Sequence, residues 1–211
     1  MSSVLRVLVA LCVSFMAAFA ADVALENTAP KLKDQIIWES HGVNATSNGW
    51  TLYKQCDSRW SGQQLGTCKD TICSAGCAMS SVAMILATKG AGKDPGSLDS
   101  WLTNHGGYSS GCLINWGSVD ALGYTKYVGK QNPTESEICN GLAAGHGLVA
   151  NVHNGGHWVL LTGCAGNGVF YVNDPGYSTT TYRRSDNVDL AVYHKVCKVS
   201  FKQSAQGLSS Q

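Results

Sequence analysis

Four side chains that together can break an acyl bond occur in this chain in the order Gln, Cys, His, Asp. Cys77 follows Ser74-Ala75-Gly76 and opens "CAMSSVAMILATKG", the most apolar stretch with helical character. A thiol at a helix N-terminus faces unpaired backbone N–H groups and the positive end of the helix dipole, and both favour the nucleophilic thiolate. The same N–H groups can hold a developing oxyanion. His157 stands in "NGGHWVLLTG". The two glycines leave room for an imidazole, and the apolar strand after it would hold the ring rigidly, as a general base requires. His41, His105, His146, His153 and His194 lack that setting, although His153 lies close by in sequence. Asp174, in "FYVNDPG", closes the next expected strand. If "HWVLLTG" and "VFYVNDP" pair across "AGNG" at 165–168, His157 and Asp174 become cross-strand neighbours with Cβ atoms ~5 Å apart. The carboxylate can then fix the imidazole tautomer and support its charged form. Adjacent strand residues point to opposite faces, so only one of Asn173 and Asp174 can do this. Gln55, in "LYKQCDSRW", has the amide donor an oxyanion hole uses, but nothing local singles it out. Each of the four also has a plainer reading: a bridged cysteine, a strand-end histidine, an Asp-Pro-Gly turn and a surface glutamine.

The elements that must position these residues are legible in outline. After the helix from Cys77, with Lys89 in its last turn and Gly90 as its stop, "SLDSWLTNHGG" and "LINWGSVDALG" read as further helices. "PTESEICNGLAAG" is a fourth, opened by a Thr134/Glu137 capping box. After Gly145 the pattern changes to β-branched and aromatic runs: "GLVANVH", "HWVLLTG", "VFYVNDP" and "LAVYHKVCKVSF". Asn167-Gly168 can take the positive φ angles of a hairpin turn. Helices first and an antiparallel sheet afterwards is an α+β order.

Length and composition exclude several classes. The chain has 211 residues, enough for one domain with its own core. Its 15 Lys+Arg stand against 14 Asp+Glu, so no basic balance points to nucleic acid. With 44% apolar residues it is not a disordered chain. No phosphate-cradling GxGxxG loop and no HExxH or clustered His/Asp set occurs, so no cofactor and no metal is expected. "MSSVLRVLVALCVSFMAAFA" has one charge, Arg6, an apolar run and Ala18-Phe19-Ala20. It reads as a cleaved secretory leader over 1–20. Its run of about 14 apolar residues is too short to span a bilayer. Residues 21–48 then form an N-terminal extension or pro-segment, 49–203 the domain, and 204–211 a polar tail. Asn44-Ala45-Thr46 is a glycosylation sequon. Once the leader is gone, the expected product is a secreted monomer without a membrane anchor.

In its order of motifs the chain resembles a known family. "LYKQCDSRWSGQQLG", "TICSAGCAMSSVAMIL", "WLTNHGGY", "INWGSVDALG", "GHWVLLTG" and "VNDPGY" resemble the papain-like cysteine peptidases related to the bacteriocin-leader (double-glycine) processing family. The likeness covers about residues 50–185. "GCAMSS" stands where the family pattern has a Gly and a Pro after the nucleophile, and extra cysteines flank the motifs. The resemblance implies Cys77 as nucleophile, His157 as base, Asp174 as its orienter and Gln55 as oxyanion donor. It also implies a papain-like α+β fold, disulfide-stapled, with the nucleophile on a central helix packed against an antiparallel sheet.

Two functions follow. The first is a secreted thiol hydrolase acting on a peptide, a protein or a related amide. The second is a non-catalytic secreted protein that uses a peptidase-like fold for binding, defence or storage. Cysteine parity bears on the choice. Eight cysteines follow the leader, and an oxidising compartment makes disulfides the default. A free Cys77 leaves seven, hence three bridges and one further thiol; complete pairing blocks Cys77. Cys164 and Cys197 both fall in expected strands and are expected to bridge. Cys68 and Cys73 are a second expected pair, closing a tight loop before Cys77.

Overall fold

The computed structural model describes residues 44–45 and 49–196. The expected leader, most of the 21–48 extension, Cys197 and the 204–211 tail lie outside the described residues. In chain order the elements are β1 (Asn44–Ala45), β2 (Thr51–Leu52), α1 (Ile72–Ala75), α2 (Cys77–Thr88), α3 (Pro95–Asn104), a 3-10 helix over Trp116–Leu122, β3 (Thr125–Gln131), α4 (Glu135–Ala143), β4 (Gly147–Val152), β5 (His157–Gly166), β6 (Val169–Asn173), β7 (Thr181–Arg183) and β8 (Leu190–Lys195). Six strands form one antiparallel sheet in the order β3-β8-β4-β5-β6-β7. The fold class is therefore α+β with an antiparallel sheet, as expected.

Alternation along the central strands explains the layering. In β4 every residue is buried. Val149 joins Leu160, Ala191 and Tyr193 in the cluster that receives α2, while Leu148, Ala150 and Val152 join Val159, Leu161 and Phe170 in a second cluster. Ile138 of α4 belongs to that second cluster, so helices cover both faces. Eight consecutive residues of α2, Met79 to Leu86, are buried. Buried over more than two turns, this helix seats its whole circumference in the core, and Ser81 is accommodated there by donating to the Trp158 carbonyl. The Thr134/Glu137 capping box opens α4 as the sequence implied.

Two features depart from the expected order of helices before strands. "TKYVGKQ" is β3, an edge strand that precedes α4 and pairs with β8. Its lysines obscure the apolar alternation, and Gly129 at φ +117° coincides with a register shift. "LINWGSVDALG" forms a 3-10 rather than an α-helix.

Three disulfides staple the domain: Cys56–Cys73, Cys68–Cys112 and Cys139–Cys164. Both expected pairings are corrected. Cys164 is bonded to Cys139 rather than Cys197, because the sheet face that carries Cys164 is the one α4 covers. Cys68 and Cys73 are not partners. The chain folds back between Gln64 and Thr71, with Leu65 N–H donating to the Asp70 carbonyl, so Cys68 sits at the tip of that turn and Cys73 beyond its base in α1. Cys68 instead reaches Cys112, and Cys73 reaches Cys56. Among the described residues Cys77 is the free cysteine. Peptide mapping without reductant should recover these three pairs. Replacing Cys139 and Cys164 together by Ala, which opens a loop of 25 residues, should lower the unfolding free energy in urea by about 3 kcal/mol.

Candidate active site

The junction before Cys77 is set by packing. Thr71 and Ser74 form a capping box that starts α1, and the Gly76 N–H donates to the Ile72 carbonyl at 2.9 Å. A Cβ on residue 76 would lie 2.4 Å from that carbonyl oxygen, so only glycine fits where one helix ends and the next begins. No side chain caps the first turn of α2. Cys77 opens that turn, half-buried and unbridged.

His157 is the first residue of β5 and Asp174 follows the last of β6; both are buried. His157 Nε2 lies 2.7 Å from Asp174 Oδ1, and Cys77 stands close enough to the imidazole to favour its charged form. With Nε2 engaged by the carboxylate, Nδ1 is the nitrogen left for sulfur. The contact with Asp174 is not the direct cross-strand pair that simple hairpin pairing implies. Leu160 sits opposite Asn173, and that register continued outward puts Gly176 opposite His157. Asp174 reaches the ring diagonally. A Cβ on Gly176 would stand 3.0 Å from His157 Cε1, so a side chain there would press on the ring. Asn173 points to the other face, donating to the Trp50 and Thr51 carbonyls.

The Asp174 carboxylate is fully engaged. Oδ1 also accepts from the backbone N–H groups of Gly176 and Tyr177, each at 2.9 Å, and Oδ2 accepts from the Tyr182 hydroxyl at 3.0 Å. Burial by itself would raise its pKa; the hydrogen bonds from His157, Tyr177 and Gly176 outweigh this and hold it below the ordinary carboxylate value. For His157, burial opposes the charged ring, but hydrogen bonds and charge from Asp174 and Cys77 prevail and lift its pKa to about 9.

Gln55 lies across the same cleft. Its backbone N–H donates to the Pro175 carbonyl, and its side-chain Nε2 donates to the Cys73 carbonyl at 2.6 Å. A primary amide has two N–H groups, so one remains for a ligand. The Cys56–Cys73 disulfide joins the residue after Gln55 to the residue whose carbonyl anchors it. Gln55, Cys77 and His157 line one cavity of about 650 Å³ together with Trp116, Trp158 and Tyr177. Sequence reading passed over three neighbours. Tyr182 sits in a polar run, "TTTYRR", with no local signal; His153 stacks on His157 at 5.6 Å between ring centroids; Lys54 Nζ donates to the Asp174 carbonyl at 2.7 Å.

A family model for the Peptidase_C39-like family matches residues 50–204. The chain belongs to the Peptidase_C39-like family. Membership supports a cysteine-peptidase-like function, and it covers all the residues that line the cavity. No curated protein and no solved structure matches the chain. Within this Peptidase_C39-like domain, the described residues contain no group of three or more His, Cys, Asp or Glu able to hold a metal ion, and no helix long and apolar enough to cross a membrane.

The His157–Asp174 pair ties stability to pH. His157, raised in the folded state, contributes stability that is complete below its ordinary value of 6.5 and is lost as pH climbs through about 9. Asp174, lowered in the folded state, contributes above its ordinary 3.8 and loses that contribution as pH falls through its folded value. Thermal melting should therefore hold a plateau between these limits and decline from near neutrality toward pH 9. In Asp174→Asn the decline attributable to this pair should vanish. Gly176→Ala should lower reactivity at Cys77 far more than it lowers the melting temperature, since the added methyl meets the His157 ring first.

Proposed function

We propose that the chain is a secreted thiol hydrolase of papain-like design that cleaves peptide or related amide bonds. The observation that carries this reading is an unbridged, half-exposed thiol at a helix N-terminus, lining one cavity with a histidine whose Nε2 is held by a buried carboxylate. A leader-like 1–20 segment and three disulfides support secretion. The paired state of the other described cysteines beside a free Cys77 favours the hydrolase over a non-catalytic scaffold.

The chemistry runs in two halves. The Cys77 proton passes to His157, the thiolate sulfur attacks the substrate carbonyl carbon, and the carbonyl electrons move onto oxygen. The free N–H of the Gln55 amide and the backbone N–H of Cys77 receive that oxyanion. The intermediate collapses, the C–N bond breaks, and the His157 imidazolium gives its proton to the departing amine. Neutral His157 then takes a proton from water as the water oxygen attacks the thioester. Collapse returns the carboxylic acid product and the Cys77–His157 pair. Asp174 holds the imidazole in one tautomer and offsets its charge throughout.

Iodoacetamide without reductant should label Cys77 alone among the described cysteines, and a fluorogenic peptide mixture should be hydrolysed. Cys77→Ala or Cys77→Ser should abolish turnover, and His157→Ala should be nearly as damaging. Asp174→Ala should cost less than either. Gln55→Ala should lower the rate by ~10²–10³, the usual effect of losing one oxyanion donor. A Cys77→Ala protein that hydrolyses the mixture at the native rate would sink the assignment.

A further inference from the structure

Behind Asp174, on the side away from the thiol, lies a second set of polar groups that the reaction above does not use. Tyr182, in the edge strand β7, is nearly buried and donates its hydroxyl to Asp174 Oδ2 at 3.0 Å. The phenol oxygen of Tyr182 lies 3.2 Å from His153 Nε2, and the Thr179 hydroxyl also reaches it. A phenol has one proton to give. A carboxylate can only accept, so that proton belongs to Asp174, and the phenol oxygen must accept from His153. His153 Nε2 therefore carries a hydrogen. The result is a directed chain: His153 N–H to Tyr182 O–H to Asp174, which takes His157 N–H on its other oxygen. Burial, and then the charge of Asp174 and its hydrogen bond, push the Tyr182 pKa up to about 12, so the phenol stays a donor at any working pH.

The turn that delivers His153 is built for it. The β4–β5 connection "HNGG" holds His153 and Asn154 at φ +52° and +54°, left-handed values at which His and Asn are enriched but which still cost conformational energy. This conformation lays the exposed His153 ring over His157, with ring planes 26° apart, and edge-on to Tyr177 and Tyr182. Other groups facing His157 and Asp174 are Cys77, the Tyr177 ring edge-on to His157, and Lys54, whose ammonium binds the Asp174 and Tyr177 carbonyls.

We propose that Tyr182, oriented by His153, is a positioning residue that tempers the basicity of the Asp174 carboxylate and so sets how readily His157 releases its proton to the leaving group. The inference rests on the hydrolase reading. Its physical basis is the balance of hydrogen bonds on one carboxylate. Oδ1 stays anchored by two backbone N–H groups when Tyr182 loses its hydroxyl, so the carboxylate keeps its place but becomes a stronger base. A stronger base holds the His157 proton more tightly. Protonation of a departing amine then slows, whereas an aryl ester, whose leaving group needs no proton, is spared.

The test is Tyr182→Phe, which keeps the ring and removes the hydroxyl, read by two pH profiles. One is alkylation of Cys77 by iodoacetamide, which reports the Cys77–His157 couple without turnover. The other is kcat on a peptide amide and on an aryl ester of the same peptide. The expected result is an alkaline step displaced upward by about half a pH unit. kcat on the amide should be reduced roughly threefold to tenfold, while kcat on the ester stays near native and the melting temperature falls by only a few degrees, the cost of one hydrogen bond lost at Asp174 Oδ2. His153→Gln, which still offers an N–H, should behave as native, and His153→Leu should shift the step in the same direction by less. Should Tyr182→Phe fail to fold, His153→Leu on its exposed turn carries the same test. An unmoved alkaline step, or equal losses on amide and ester, overturns the proposal. A native protein without turnover whose alkylation step still moves in Tyr182→Phe overturns the hydrolase reading and leaves the hydrogen-bond chain standing.

Discussion

The structure of the site depends on one buried carboxylate. Asp174 is 1% exposed, and an isolated charge at that depth would be prohibitively costly. It is tolerated because every direction around it supplies a donor: the His157 ring, two backbone N–H groups and a phenol. Each donor fixes something else. The backbone donors require the chain to fold tightly after Asp174, and that turn brings Gly176 under the imidazole. The Pro175 carbonyl in the same turn receives the Gln55 N–H, so the segment that orients the histidine also anchors the amide across the cleft. The phenol ties edge strand β7 to the centre. Removing the charge would leave four donors aimed at nothing.

The second organising element is the helix that carries Cys77. Its position is fixed by eight consecutive buried residues, not by caps, and it packs on the face of β4 and β5 formed by Val149 and Leu160. Because β5 begins with His157, the packing that seats the helix also brings its N-terminus to the imidazole. The Cys56–Cys73 disulfide then performs a task the core cannot. The segment around Gln55 is irregular, and this covalent tie holds it against α1 at Cys73, three residues before the Gly76 junction. Two further bridges secure the loop at Cys112 and the helix over the far face of the sheet.

Much of this was legible from residues alone, for physical reasons. Cys77, His157 and Asp174 announce themselves because their signals are local: glycines before a buried helix, glycines before a buried strand, an Asp at a strand end. The helices α2, α3 and α4 and the strands β4, β5, β6 and β8 have strong periodicity or composition. What stayed hidden depends on where the chain goes next. Tyr182 acts only because β7 folds beside β6, setting Tyr182 opposite Phe170. β3 reads as polar because one face of an edge strand meets water. Disulfide pairing is a tertiary property, so the expected Cys164–Cys197 and Cys68–Cys73 pairs failed even though the strand holding Cys164 was correctly read. His157 and Asp174 do meet, but not in the register that simple hairpin pairing implies: Asp174 reaches the ring diagonally and glycine occupies the facing position.

The pattern of cysteine pairing is itself a functional argument. A secreted fold stapled for binding alone gains nothing from a half-exposed thiol, which exchanges with disulfides and oxidises readily. The described part of this chain pairs six cysteines and leaves unpaired the one that touches His157. Geometry helps to keep it so. Cys73, four residues away and lining the same cavity, is already held by Cys56, and the carbonyl of Cys73 is occupied by the Gln55 amide. The Cys56–Cys73 bridge thus has two effects: it ties down the segment that carries the Gln55 amide, and it occupies a sulfur that shares the cavity with the free thiol. A chain built in this way keeps one thiol free beside an imidazole whose pKa is raised to about 9, and the proposed hydrolase reading rests on that arrangement.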